Sequence, residues 1–369
     1  GKLLDFNITR DKIPVFSVDA AYMIDKEIGY IKLNSFSKTT VQEVQTALQM
    51  LKSQGMKSLI FDLQSNGGGL LDAAHKLADE FLSGDKLIVY SEGRAQPRYD
   101  LKAAKKGLFE EGQLVILTDE YSASASEILS GAIQDWDRGL IVGRRTYGKG
   151  LVQRPMPLSD GSEIRLTIAR YYTPTGRHIQ KPYQDTETYR KDLNQRYLNG
   201  EFFLKDSIKL PDSLMYKTLK TKRTVYGGGG IMPDVFVALD TTESSTYFAD
   251  LIQGGHVNSF IFKYVNENRA ALLKSYPSIK EFRANFVCDA SFMDSFFAYV
   301  AIEDSTLKYN EDEYRRSENL IKLRLKSVIA QDLWGTNEMF QIYNDTNEIL
   351  QEAIQQIQSK NYNNFNLEK

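Results

Sequence analysis

Through the first half of this chain, short apolar runs alternate with longer amphipathic stretches. Residues 28–33, 57–63, 87–90, 114–117 and 140–142 are apolar runs of strand length. Between them, residues 40–54, closed by Gly55, and residues 70–82 repeat apolar positions at helical spacing. A third such stretch starts at Glu127. This alternation predicts an α/β core. Beyond Gly150 the period drops to two: residues 152–157 and 163–172, joined by Ser159-Asp160-Gly161, predict a hairpin. Residues 181–224 read as a polar, tyrosine-rich insertion, helical around 186–197. From residue 240 helical periodicity dominates, over 247–252, 257–274, 279–286, 290–302, 311–333 and 338–358, before a polar asparagine-rich tail. The expected organisation is a lead-in over 1–27, a core over 28–239 and an all-helical unit over 240–369.

Composition narrows the function classes. With 42% apolar and 25% charged residues and a formal net charge of −2, nothing points to a nucleic-acid surface or an anionic-membrane patch. The single cysteine, Cys288, excludes an intrachain disulfide framework, and its neighbours Phe286, Val287 and Phe292 predict a small buried residue. His75, His178 and His256 are scattered without metal-ligand spacing, so no metal or organic cofactor is implied. The chain opens on Gly1 and has neither a signal peptide nor an apolar membrane span, which reads as a processed fragment.

The chemistry concentrates in Thr118-Asp-Glu-Tyr-Ser-Ala-Ser124-Ala-Ser-Glu127 and Thr146-Tyr-Gly-Lys149-Gly150. A serine hydroxyl becomes a good nucleophile only when a base takes its proton, and a neutral lysine can be that base. Gly148 and Gly150 leave the backbone beside Lys149 free to turn sharply. Ser124 would stand at the first turn of a helix, where unpaired N–H groups can hold an oxyanion. The plainer alternative is that Ser124-Ala-Ser-Glu127 is a capping box and Lys149 an exposed turn residue. Gly143-Arg-Arg-Thr-Tyr-Gly148-Lys149 also matches a phosphate-binding loop. That reading fails, because Gly150 stands where the Mg²⁺-ligating hydroxyl belongs and an extended, proline-containing run follows. Asp135 reads as an acid on the surface of the Ser124 helix.

Several motifs in order carry a resemblance: Asp62-Leu-Gln-Ser-Asn66-Gly67-Gly68-Gly69-Leu70-Leu71, Ser122-Ala-Ser-Ala-Ser126-Glu-Ile, Asp135-Trp-Asp-Arg-Gly-Leu-Ile-Val-Gly143, and Thr146-Tyr-Gly-Lys-Gly-Leu-Val-Gln153. Together with Thr173-Pro-Thr-Gly-Arg177 and Gly230-Ile-Met-Pro-Asp234, they resemble the carboxyl-terminal processing, or tail-specific, proteases over roughly residues 13–237. The resemblance implies a mixed-sheet α/β core of the tail-specific protease type, with Ser124 and Lys149 as catalytic dyad. Gln153 would orient the lysine, and the backbone N–H groups of Gly69 and Ala125 would form the oxyanion hole. In a regular strand Gln153 would lie about 13 Å from Lys149, so contact between them needs a kink, which Gly150 can provide. Implied substrates are proteins or peptides cut near their C-terminal tails, in the periplasm or cell envelope. Residues 3–10 and 13–15 resemble the exit from the family's peptide-binding PDZ domain, which is expected to be absent here. An alternative on the same fold is a catalytically silent module that binds peptides or apolar ligands. The helical unit reads as a packing element or a homodimer interface, or as a gate for substrate.

Overall fold

Runs too apolar on both faces to lie against water build the main sheet, which is why most of its strands are parallel and covered on both sides. The structure, a computed structural model, describes residues 8–11, 15–183, 185–359 and 361–367. In chain order the core comprises β1 (Val18–Met23), β2 (Ile28–Leu33), α1 (Thr40–Ser53), β3 (Ser58–Asp62), α2 (Leu71–Ala78), β4 (Leu87–Gly93), β5 (Gln96–Lys102), β6 (Gln113–Thr118), α3 (Ala125–Asp135), β7 (Leu140–Gly143), β8 (Leu151–Pro157) and β9 (Glu163–Tyr172). It continues through α4 (Thr186–Leu198), β10 (Met215–Lys217), β11 (Thr224–Tyr226) and β12 (Val235–Phe236). The six-stranded sheet has the order β1-β2-β3-β6-β7-β12, with β1 antiparallel to β2 and the other neighbours parallel. Every residue of β2, β3 and β7 is buried. A second, antiparallel sheet runs β5-β4-β9-β8.

Three expectations change. The lead-in drawn over 1–27 contains β1, an edge strand of the core; residues 1–7 and 12–14 of that reading lie outside the described residues. The run at 87–90 does not join the parallel sheet, where β3 pairs directly with β6. It becomes β4, pairing with β5 and β9, and the polar β5 carries no apolar signal by which it could be read.

The third change concerns the C-terminal part. Helices α5 (Thr246–Gln253), α6 (His256–Ser275), α7 (Ile279–Asn285), α8 (Ala290–Glu303), α9 (Glu311–Trp334) and α10 (Thr336–Tyr343) surround their own core of Phe260, Phe282, Phe296, Ile321, Leu325 and Ile329. The helix expected over 338–358 is two. A 3₁₀ turn at Asn344–Thr346 interrupts it, and Asn347 caps α11 (Glu348–Gln358) by accepting from the Leu350 N–H at 3.2 Å. Asn, Asp and Thr side chains compete for helical backbone groups, so N-D-T-N breaks the repeat. α11 then leaves the helical unit and covers the far face of the main sheet, with Ile349, Leu350 and Ala353 against Tyr30, Ile60, Val115, Leu117 and Val142. The near face carries α1, α2 and α3. Cys288 is buried, and that burial pushes its thiol up to about 12. Among the described residues no helix is long and apolar enough to cross a membrane.

A pH-dependent weakness sits in the turn after β9. His178 bridges to Tyr172, and its buried Nε2 has no hydrogen-bond partner among the described residues. Burial, with Arg170 adding repulsion, pulls its imidazole down to about 4. The folded state therefore keeps His178 neutral, while the unfolded chain takes up a proton near pH 6.5. Stability is full above that pH and declines as pH falls towards 4. Urea midpoints measured from pH 7 to pH 4 are expected to fall less steeply in His178→Gln than in the parent. Parallel curves would remove His178 as a cause.

Candidate active site

Only one of the three serines in the turn after β6 is available for chemistry. Ser122 and Ser126 are fully buried, and their hydroxyls donate to Leu63 O at 2.7 Å and to Asn66 O at 2.9 Å. Ser124 is half-buried, and its backbone sits at φ 58, ψ −111. A non-glycine residue held there stores about 1–3 kcal/mol of strain, a conformation that persists where the surroundings enforce it. It resembles the sharp strand-to-helix elbow that lifts a nucleophile out of its backbone. Ser124 and Glu127 stand in the expected capping-box arrangement, with Glu127 accepting from the Ser124 N–H at 2.8 Å.

The glycine turn after β3 presses on this elbow. A Cβ at Gly68 (φ +96) would lie 2.6 Å from Ala123 O and 2.8 Å from the Ala125 nitrogen. One at Gly69 would lie 2.1 Å from Phe36 O. Both positions therefore require glycine. The Gly68 N–H is committed to Asn66 Oδ1 at 2.8 Å, and Phe36 is paired with Gly68 O and the Leu70 N–H. The N–H groups of Gly69 and of Ala125, at the start of α3, have no acceptor among the described residues. Ala125 follows Ser124 directly, Gly69 follows the Gly68 that presses on the elbow, and the Asn66 carbonyl ties the two segments by accepting from the Ala123 N–H at 3.0 Å.

Lys149 arrives on an irregular loop between β7 and β8. Glu127, fully buried, fastens that loop to the serine elbow. Its Oε2 accepts from the Ser124 N–H at 2.8 Å and the Lys149 N–H at 2.9 Å, and its Oε1 from the Gly148 N–H at 2.7 Å and the Thr146 hydroxyl. Burial pushes the Glu127 carboxyl up, and these four hydrogen bonds oppose it. The Tyr171 phenol reaches the carbonyl oxygens of both Ser124, at 3.1 Å, and Lys149. The Gly148 and Lys149 N–H groups thus face a carboxylate, leaving no nest for a phosphate. Lys149 is half-buried, and its ammonium has no hydrogen bond among the described residues, including none to Ser124 Oγ.

The remaining predicted residues fare differently. Gln153 lies in β8 just past a β-bulge at Val152/Gln153, is exposed, and has no hydrogen bond to Lys149. Asp135 is not the surface acid expected: it is fully buried, ion-paired with Arg177, and accepts from the Thr175 N–H at 2.9 Å and hydroxyl at 2.7 Å. It braces the turn of Thr173–Arg177. Glu127 and Tyr171 carried no functional reading in the sequence; the only signal was the S-x-x-E spacing, which pointed to a cap. Among the described residues no cluster of His, Cys, Asp or Glu is arranged to hold a metal ion.

Residues 27–187 match the model of peptidase family S41, and residues 247–335 match a family of unknown function, DUF8443. A carboxy-terminal-processing protease of Bartonella bacilliformis is 40% identical over 186 residues, 48% of this chain and 42% of that protein. A carboxyl-terminal-processing protease of a Synechocystis species is 40% identical over 181 residues, with the same coverage of 48% and 42%. The chain thus spans less than half the length of these relatives. Among solved structures, a photosystem II D1 C-terminal processing protease is 28% identical with a TM-score of 0.44, covering 63% of this chain and 51% of that one.

Proposed function

We propose that this chain is a serine endopeptidase with a Ser124/Lys149 dyad that cuts protein substrates near their C-terminal tails, a reading supported by the match of residues 27–187 to the model of peptidase family S41. One observation carries the reading: a serine on a strained elbow, next to N–H groups without an acceptor among the described residues, shares a buried carboxylate with the lysine's own backbone. Lys149, in its neutral form, takes the proton of Ser124 as Oγ attacks the peptide carbonyl. The developing oxyanion accepts hydrogen bonds from the Ala125 and Gly69 N–H groups. As the tetrahedral intermediate collapses, the lysine passes its proton to the leaving amine. Water, deprotonated by the lysine, then hydrolyses the acyl-serine. Gln153 would act on the lysine only after the bulge before it shifts.

A single observation favours a second reading, a silent binding module: Ser124 Oγ and Lys149 Nζ are not hydrogen-bonded. Catalytic hydrogen bonds often tighten only once substrate is bound, so labelling decides between them. A fluorophosphonate probe is expected to modify Ser124, and neither Ser122 nor Ser126, as read by peptide mapping. Absence of label at Ser124 together with intact peptide binding would favour the module.

A further inference from the structure

The loop carrying Lys149 has no regular structure, so its buried backbone groups must find partners elsewhere. The Arg144 N–H donates to Thr118 O at 3.0 Å, the Thr146 N–H to Ile231 O at 3.1 Å and the Tyr147 N–H to Ser122 O at 3.0 Å. The Gly150 N–H donates to Gln180 Oε1 at 2.9 Å. Two carbonyls, those of buried Arg145 and Thr146, depend on one side chain. Arg196 Nη2 donates to Arg145 O at 2.7 Å and Nη1 to Thr146 O at 3.0 Å. Arg196 belongs to the last turn of α4, in the polar insertion and beyond the residues matching the peptidase model.

This arginine is held as firmly as it holds. It is 3% exposed, and its Nε donates to Glu201 Oε2 at 3.1 Å. The same oxygen takes Arg145 Nη2 at 2.6 Å, so the two guanidinium groups share one carboxylate. A second tie lies at the other end of the loop. The Lys181 N–H donates to Gly148 O at 3.0 Å, while its Nζ lies 3.7 Å from the Tyr147 ring centre and pairs with Asp192 of α4 at 2.9 Å.

We infer that α4 is a brace for the lysine loop and that Arg196 is a positioning residue, setting where the backbone delivers Lys149 through the carbonyls of Arg145 and Thr146. This rests on the peptidase reading above. Without the guanidinium, two buried carbonyls lose their donors together, and the loop must open to water to satisfy them. A displacement of about 1 Å at a catalytic group can cost on the order of 10²-fold in rate. A lysine at 196 brings a compact ammonium that cannot reproduce the planar fork.

The test compares the full chain with Arg196→Ala and Arg196→Lys by two readouts: kcat and KM on an unfolded protein substrate, and hydrogen exchange of residues 146–150. In Arg196→Ala, kcat is expected to fall about 30-fold with KM within about twofold. Exchange is expected to quicken at Gly148 and Lys149 while β3 stays unchanged. Arg196→Lys should recover part of both effects, and it carries the test should the alanine variant not fold. Unchanged exchange in the loop, or a kcat that falls only with the folded fraction, would overturn the brace. Quickened exchange in the variants, with a parent that neither cleaves nor labels at Ser124, would instead sink the peptidase reading and leave the brace standing.

Discussion

Replacing Lys149 by Ala is expected to lower kcat by about 10³-fold or more while leaving the melting temperature within about 2 °C. The asymmetry follows from where the side chain sits. Its backbone N–H is bound by Glu127 and its carbonyl by Tyr171, so the loop keeps its shape without the amine. The ammonium itself makes no hydrogen bond among the described residues, so its removal leaves no buried donor or acceptor orphaned. Ser124, by contrast, loses the lysine whose backbone shares the Glu127 carboxylate with its own. Steady-state proteolysis of an unfolded substrate and thermal melts check this together. Activity retained within a few fold would remove Lys149 as the base. A large fall in both quantities would make it a structural residue.

Glu127→Gln should be costly in both stability and rate. The carboxylate accepts four hydrogen bonds from Ser124, Thr146, Gly148 and Lys149 with both oxygens. A glutamine of the same size keeps one acceptor oxygen and turns an NH₂ group towards donors that then have nothing to bind. Each buried group left without its bond costs about 1–3 kcal/mol. A loss of about 3 kcal/mol overall is expected, because relaxation and the relief of burying a charge offset part of it. The rate should also fall, by about 10²-fold in the fraction that remains folded, since the serine elbow and the lysine loop are no longer tied. Urea unfolding gives the first quantity and active-site titration with kcat the second. If kcat per folded molecule stays at the parent value, Glu127 serves the fold alone.

Much of the core could be read from pattern because parallel strands buried on both faces are short, wholly apolar runs. β2, β3, β6 and β7 announce themselves this way, and the helices between them repeat at the helical period. β4 was read as a strand without its sheet, and β5 was unread because an antiparallel sheet with a wet side tolerates polar residues such as those it carries. α11 looked like more of the helical unit, since an amphipathic helix does not declare which apolar surface it will cover. Around the site, glycine positions were legible. Gly68 and Gly69 must be glycine for steric reasons that act within a few ångströms.

Roles that depend on long-range partners were not legible. Asp135 read as a commonplace surface acid, yet its charge is buried against Arg177, 42 positions along the chain. Glu127 read as a cap, and Arg196 drew no reading of its own. What the sequence by itself determined was the apolar skeleton and a tight glycine turn, because those follow from period and composition, while the serine and the lysine were singled out by the resemblance of their motifs. Which carboxylate fastens the elbow to the lysine loop, which arginine supports that loop, and which helix closes the sheet were decided only by the tertiary structure. A buried polar group takes whichever partner the fold brings within bonding distance, and separation along the chain carries no record of it.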